Sequence, residues 1–248
     1  MVGGIDIPSW LPTFALGAAA SLGFFKFYIE PRQIASALRK KYGTALWMAC
    51  KELDEHLWQI KRGIHDDGIF DSLLKIPAND WAGQSDWFIK GGFYTVVTAH
   101  KIAVLSAWLF IYQQELLFSR TSESSRLLAD LYRYTGSVRK TFSERSCLWP
   151  EYFDAIGSHC VEKFADVYRP IPLSTFCLRY ASEPAFLKFY DQLHMFIHLT
   201  AKEERASKEE SRIERISAGI RDLMSLLKKR GLLAGIEVDR VVTSAESR

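Results

Sequence analysis

The chain has 248 residues, 48% hydrophobic and 25% charged, with a formal net charge of only +3. A chain of this size and composition buries a core without staples, and so small a charge implies no nucleic-acid partner. The cysteines, Cys50, Cys147, Cys160 and Cys177, form no C-x-x-C pair. This argues against a zinc knuckle and a disulfide framework and fits reduced thiols in a cytoplasmic compartment.

No charge interrupts the run from Ile7 to Phe25. At 1.5 Å per residue a helix over it spans about 28 Å, close to the hydrocarbon thickness of a bilayer. Trp10 and Tyr28 flank it as an aromatic belt would, and Lys26 can snorkel to the headgroups. Residues 1–30 are therefore expected to be a single transmembrane anchor that meets the lipid bilayer through residues 7–29. No Lys or Arg precedes the run, while Lys26, Arg32, Arg39, Lys40 and Lys41 follow it. The missing basic n-region argues against a cleaved signal peptide. The positive-inside rule puts the N-terminus outside the cell inner membrane and the rest in the cytoplasm. Gly17 with Ser21 and Ala19 with Gly23 make small-x-x-x-small pairs, a packing face that allows the anchor to form a homo-oligomer.

Residues 31–234 read as a cytoplasmic bundle of long helices and residues 235–248 as a disordered tail. From about Gln33 to Ile64, apolar residues recur at steps of three or four: Ile34, Leu38, Tyr42, Leu46, Ala49, Leu53, Leu57, Ile60 and Ile64. Residues 65–92 hold several glycines and Pro77 and read as a long structured loop, pinned by Trp81 and Trp87. Residues 93–118 are apolar almost all round. Lys101 would cost about 2.5–3.5 kcal/mol inside a bilayer, so a central bundle helix is expected rather than a second span.

Residues 122–144 form an amphipathic helix opened by "TSES". "WPEYFDAIGSHCVEKFADVY" reads as a further helix, "RPIPLSTF" as a break, and "EPAFLKFYDQLHMFIHLTA" as a resumed helix. In the last helix Ile213, Ile216, Ile220, Leu223 and Leu227 alternate steps of three and four. This heptad-like seam is either an assembly surface or the core face of a bundle helix. Gly231 stands where a C-terminal cap belongs. Almost no strand and no internal repeat is expected, so the fold class is all-α.

Three constellations bear on chemistry. Asp191, His194 and His198 can share one helix face, as metal ligands require, although the Glu of a zinc-protease helix is absent and core histidines satisfy the same pattern. Glu52, Glu55 and His56 lack the second copy that a diiron bundle needs. His100 and Lys101 sit in an apolar helix, where a lysine can become reactive or meet a carboxylate, and form a candidate ligand-binding pair with the 65–92 loop. His159 and Cys160 are neighbours whose side chains point about 100° apart, so they do not make a nucleophile–base pair. His65, Asp66 and Asp67 are an open ion-binding candidate. No phosphate loop or hydrolase motif occurs, and no cofactor is implied.

The run "GGFYTVVTAHKIAVLSAWLFIYQQELLF", behind an N-terminal anchor and a long first helix, resembles an uncharacterised group of single-span, membrane-anchored, all-helical bacterial proteins. The likeness covers about half the chain. It implies the architecture and no catalytic residue. The expected function is a membrane-anchored interaction or assembly protein. The alternatives are an enzyme or small-ligand binder using the 65–92 loop and central helix, and an oligomerising effector that perturbs the bilayer.

Overall fold

The computed structural model describes residues 30–74, 92–118, 122–143, 148, 150–165, 167–206 and 211–233, with side chains from Lys40 onward except at 116, 118, 122–125, 127, 128, 137, 139, 141, 143 and 150. The expected anchor contacts at Trp10, Gly17, Ala19, Ser21, Gly23 and Lys26 lie outside these residues, as do Trp81, Trp87 and the tail. Among the described residues the structure is mostly helical, as an all-α fold requires. The helices are α1 Glu30–Gly63, α2 Asp67–Leu74, α3 Phe93–Phe118, α4 Ser122–Ser143 and α5 Pro150–His159; then, after a hairpin of β1 Val161–Phe164 and β2 Val167–Pro170, α6 Leu173–Ser182, α7 Pro184–Phe189, α8 Asp191–Ala206 and α9 Arg212–Lys229. Residues Lys40–Arg248 form one compact unit.

The stripe on α1 is buried as its spacing demands: Tyr42, Leu46, Ala49, Leu53, Leu57, Ile60 and Ile64 are all in the core. Leu46 and Leu53 are wholly covered, each worth about 1.5–3 kcal/mol of burial. Helix α3 runs through the middle, packed most extensively on α5, then on α4, and touching α2, α6, α8 and β2. Its alanines, Ala99, Ala103 and Ala107, are fully buried and keep that surface low. Ser106 donates a short hydrogen bond to the Phe153 carbonyl across the α3–α5 contact.

Helix α9 is closed at both ends. The Ser211 hydroxyl accepts from the Glu214 amide at 3.3 Å, while the Glu214 carboxylate accepts from the Ser211 amide at 3.0 Å, a reciprocal capping box. At the other end Gly231 has φ +63°, its N–H bonds to the Lys228 carbonyl at 3.0 Å, and the Leu232 N–H bonds to the Leu227 carbonyl at 3.1 Å. That pair of bonds is a Schellman motif, which favours glycine because the left-handed backbone penalises a Cβ. It turns Leu232 inward against Gly43 of α1, where a Cβ would stand 2.6 Å from the Leu232 carbonyl oxygen.

Four local readings are corrected. The front of the expected 65–92 loop is helix α2: the Asp66 carboxylate accepts from the amides of Gly68 and Ile69 and caps it. The expected helix from Trp149 to Tyr168 ends at His159, and the chain turns into the antiparallel hairpin, with Glu162 opposite Arg169 and Phe164 opposite Val167. Ala165 makes the tight turn at φ +52°, and the Ile171 N–H bonds to the Cys160 carbonyl at 2.9 Å, extending the pairing past the strands. The stretch read as a break contains α6, with Pro172 as its N-cap, a place where proline is tolerated because no amide hydrogen is needed. The helix after Pro184 is two pieces, α7 and α8, meeting at Tyr190.

Candidate functional site

Three polar residues of α3, Thr98, His100 and Lys101, face α1 and the β2–α6 junction. Lys101 Nζ lies 3.5 Å from a carboxylate oxygen of Glu52 and is about a quarter exposed. One turn along α1, His56 Nε2 is 2.9 Å from Thr98 Oγ1. The Thr98 hydroxyl already donates to the Tyr94 carbonyl at 2.5 Å, so it accepts from His56 and fixes the Nε2–H tautomer. Burial first, then the Lys101 charge, depress the His56 pKa to about 4 against the pull of Gln59. The imidazole is therefore neutral near pH 7. His100 Nε2–H donates to the Ile171 carbonyl at 3.0 Å, and its ring meets Phe176 edge-on. These are pinning contacts: His100 ties α3 to the segment that follows the hairpin, and the Lys101 ammonium is engaged by Glu52. Glu55 pairs with Lys51 at 3.8 Å instead of joining Glu52 and His56.

The trio on α8 does not converge. His194 is 1% exposed, packed edge-on against Tyr180, and neither ring nitrogen has a hydrogen-bond partner among the described residues. Its Nδ1 is 4.0 Å from Asp191, whose carboxylate turns to solvent. Burial alone pushes the His194 pKa down to about 3. His198 Nδ1 instead faces the Leu74 carbonyl at 3.3 Å, across on α2. Among the described residues no group of three or more His, Cys, Asp or Glu is arranged to hold a metal. His159 stacks on Phe189, with Nδ1 3.4 Å from the Tyr190 hydroxyl, while burial pushes the neighbouring Cys160 thiol up to about 12. That thiol is protonated and inert at neutral pH. Asp67, expected as an open ion ligand, pairs with Arg205 at 2.7 Å.

The seam residues Ile213, Ile216, Ile220, Leu223 and Leu227 are all buried inside the chain's own bundle. Helix α9 lies mainly on α4 and α8, so this stripe is a core face and offers no free surface for a partner.

One constellation was not anticipated. Where α8 and α9 meet α1, Arg212 pairs with Glu203 at 2.7 Å, Arg215 with the same carboxylate at 3.3 Å, and Lys61 with Glu204 at 3.7 Å. Lys61 also makes a short contact to Glu214, whose carboxyl it holds below the ordinary range. Arg212 is 2% exposed, the largest fully buried side chain described. The spacing of Ser211 and Glu214 signals the cap beside it; nothing local signals that Arg212 is inside. Beneath this network lies an apolar cavity of about 20 Å³, lined by Ile60, Phe196, Ile197, Ala201, Ile213 and Ile216 among others, which is room for about one water.

No protein-family model, curated protein or solved structure matches the chain.

Proposed function

We propose that this protein is a membrane-anchored helical bundle that acts by assembly and protein interaction. The observation that supports this reading is the uncharged run Ile7–Phe25, followed by Lys26, Arg32, Arg39, Lys40 and Lys41. A helix over such a run is long enough for a bilayer, and the basic flank favours the cytoplasmic side of the inner membrane. Helix α1 takes up at Glu30, directly behind it, and from Tyr42 on supplies one wall of the bundle core.

Assembly under this reading falls to two surfaces, because the α9 seam is consumed by the fold. One is the small-residue face of the anchor, Gly17, Ala19, Ser21 and Gly23, where helix backbones can approach closely in lipid. The other is the apolar side chains that the body leaves in solvent, Leu178 at 67% and Phe164 at 60% exposed. The test is membrane fractionation and native mass of the full chain against a chain beginning at Pro31. A membrane-bound oligomer that becomes a soluble monomer on truncation is the expected result. Two soluble species of equal subunit number would overturn it.

A further inference from the structure

We infer that the end of the bundle where α9 closes on α1 is a docking face for the anionic headgroups of a bilayer. Helices α1 and α9 run antiparallel in constant register. Lys61 meets Glu214, Asp54 meets Arg221 at 3.0 Å, and Gly43 meets Leu232 just past α9. Each step back along α1 is matched by an equal step forward along α9. Carried on past Gly43, that register brings Lys40 and Lys41 level with the last turn of α9, which ends in Lys228, Lys229 and the cap residue Arg230. All five side chains are exposed. Helix α4 adds a sixth. Arg230 pairs with Asp130, and Arg126, also exposed, lies one turn before it.

The fold leaves most of these charges unused. Lys40, Lys228 and Lys229 pair with no carboxylate among the described residues, and Lys41 lies over the ring of Tyr42, 5.5 Å from its centre. Elsewhere on the body Arg205, Arg212, Arg215 and Arg221 each meet an acid. A helix dipole accounts for cations in the last turn of α9, but Lys40 and Lys41 stand inside α1 and gain nothing from one. The described acids at this end are Asp130, engaged by Arg230, and Glu115, whose charge reaches Tyr42. The other end of α1 is mixed in sign, with Arg62, Asp66, Asp67 and Asp71 exposed together. A chain of net charge +3 thus gathers its unanswered cations at one end.

That pattern fits a lipid surface. In sequence the cluster continues the basic flank Lys26, Arg32 and Arg39 into the folded body. Trp108 of α3 meets Tyr42 with ring centres 6.2 Å apart, and farther along the same helix Leu117 is exposed. A cytoplasmic leaflet is anionic, and each lysine brought within about 8 Å of it strengthens binding about fivefold. Lysine is a compact charge on a flexible stem, suited to a field of mobile headgroups. A nucleic-acid reader carries a larger overall positive charge.

The inference goes beyond the anchor reading, and one experiment separates the two. The full chain is floated on vesicles of phosphatidylcholine alone and of phosphatidylcholine with phosphatidylglycerol. Reductive methylation by formaldehyde and cyanoborohydride is then followed lysine by lysine by mass spectrometry. On the vesicles with phosphatidylglycerol, Lys40, Lys41, Lys228 and Lys229 are expected to react about fivefold slower or more. Lys163, Lys188 and Lys202, exposed on the hairpin, α7 and α8, should react alike on both, and about 0.5 M salt should erase the difference. In Lys228→Gln/Lys229→Gln, Lys40 and Lys41 should lose most of their slowing while melting is unchanged. Slowing of Lys40 and Lys41 that survives in this variant would confine lipid contact to the flank of the anchor and overturn the shared face. Equal rates on the two kinds of vesicle, or equal slowing of every lysine, would also overturn it and leave the anchor reading standing. The same slowing by duplex DNA, added to phosphatidylcholine vesicles at equal phosphate, would overturn the lipid assignment. Flotation only with phosphatidylglycerol, the slowing intact, removes the anchor and keeps the face. Flotation on neither removes both.

Discussion

Gly157 of α5 lies so close to Ser106 of α3 that a Cβ there would stand 2.6 Å from both the Ser106 carbonyl oxygen and its hydroxyl. The hydroxyl is the one that bonds to Phe153, so the contact and the hydrogen bond are built together. Alanine favours helix by about 1 kcal/mol over glycine, yet Gly157→Ala is expected to destabilise by about 1–3 kcal/mol, because backbone cannot yield as a side chain can. Gly136 in α4 has nothing within 4 Å of the same position. Gly136→Ala is expected to stabilise by about 0.5–1 kcal/mol. Urea midpoints that move in the same direction for the two variants would refute the contact.

Two buried histidines make stability fall with acid. His56 and His194 titrate near 6.5 in an unfolded chain and at about 4 and about 3 in the folded one. Below about pH 6.5 the unfolded chain binds protons that the folded chain refuses, so their contribution is full above that pH and drains as the pH falls toward 4. Glu214, whose carboxyl is depressed, adds a loss of the same sign lower down. The unfolding midpoint should be flat between pH 7 and 8 and decline below about 6.5. His194→Leu should make the decline shallower and, by removing a buried imidazole without partners, should not weaken the chain at pH 7. A midpoint that holds steady down to pH 4.5 would contradict this.

Arg212 and Arg230 both pair with carboxylates, in different surroundings. Arg212 is 2% exposed and Arg230 is 50% exposed. Removing one partner of a buried pair typically costs about 3–5 kcal/mol, an exposed pair less than about 1 kcal/mol. Arg212→Met should therefore lower the unfolding free energy several-fold more than Arg230→Ala. Equal effects would show that the α8–α9 junction is wetter than its burial indicates.

Thiol reactivity should follow cover. Cys50 and Cys160 are buried, and burial raises both thiols far above neutral pH. Cys177 is only half-covered. In the folded chain at pH 8, mass spectrometry of alkylated peptides should find Cys177 modified at least about tenfold faster than either. Simultaneous modification would indicate global opening.

What the sequence made legible was periodic. The steps through Tyr42, Leu53 and Ile64 located α1, and Gly231 located the end of α9. What it hid was decided at a distance. The residues from Cys160 to Tyr168 hold good helix formers, Glu162 and Lys163, and only the pairing of Val161–Phe164 with Val167–Pro170 makes them a hairpin. Pro170 and Pro172 read as breakers, yet Pro172 begins α6. The partner of Lys101 is Glu52 on another helix, and that of His100 is a backbone carbonyl at Ile171. No local spacing encodes either. His194 and His198 share a helix, but their neighbours, Tyr180 and the Leu74 carbonyl, turn them to separate tasks.

The closing of α9 on α1 has a consequence for biosynthesis. Lys61 and Glu214 are 153 residues apart, and Asp54 and Arg221 are 167 apart. A ribosome adding about 5–20 residues per second leaves α1 waiting on the order of ten seconds for its last neighbour to emerge. Through that interval the apolar stripe of α1 is only partly covered: Leu57 and Ile60 meet Leu73, Thr98 and Ile102 first, and Phe196, Ile213 and Ile216 only later. The first of the described helices is thus among the last to be fully sheltered, and a holdase that grips apolar helices would find its target there before the bundle exists.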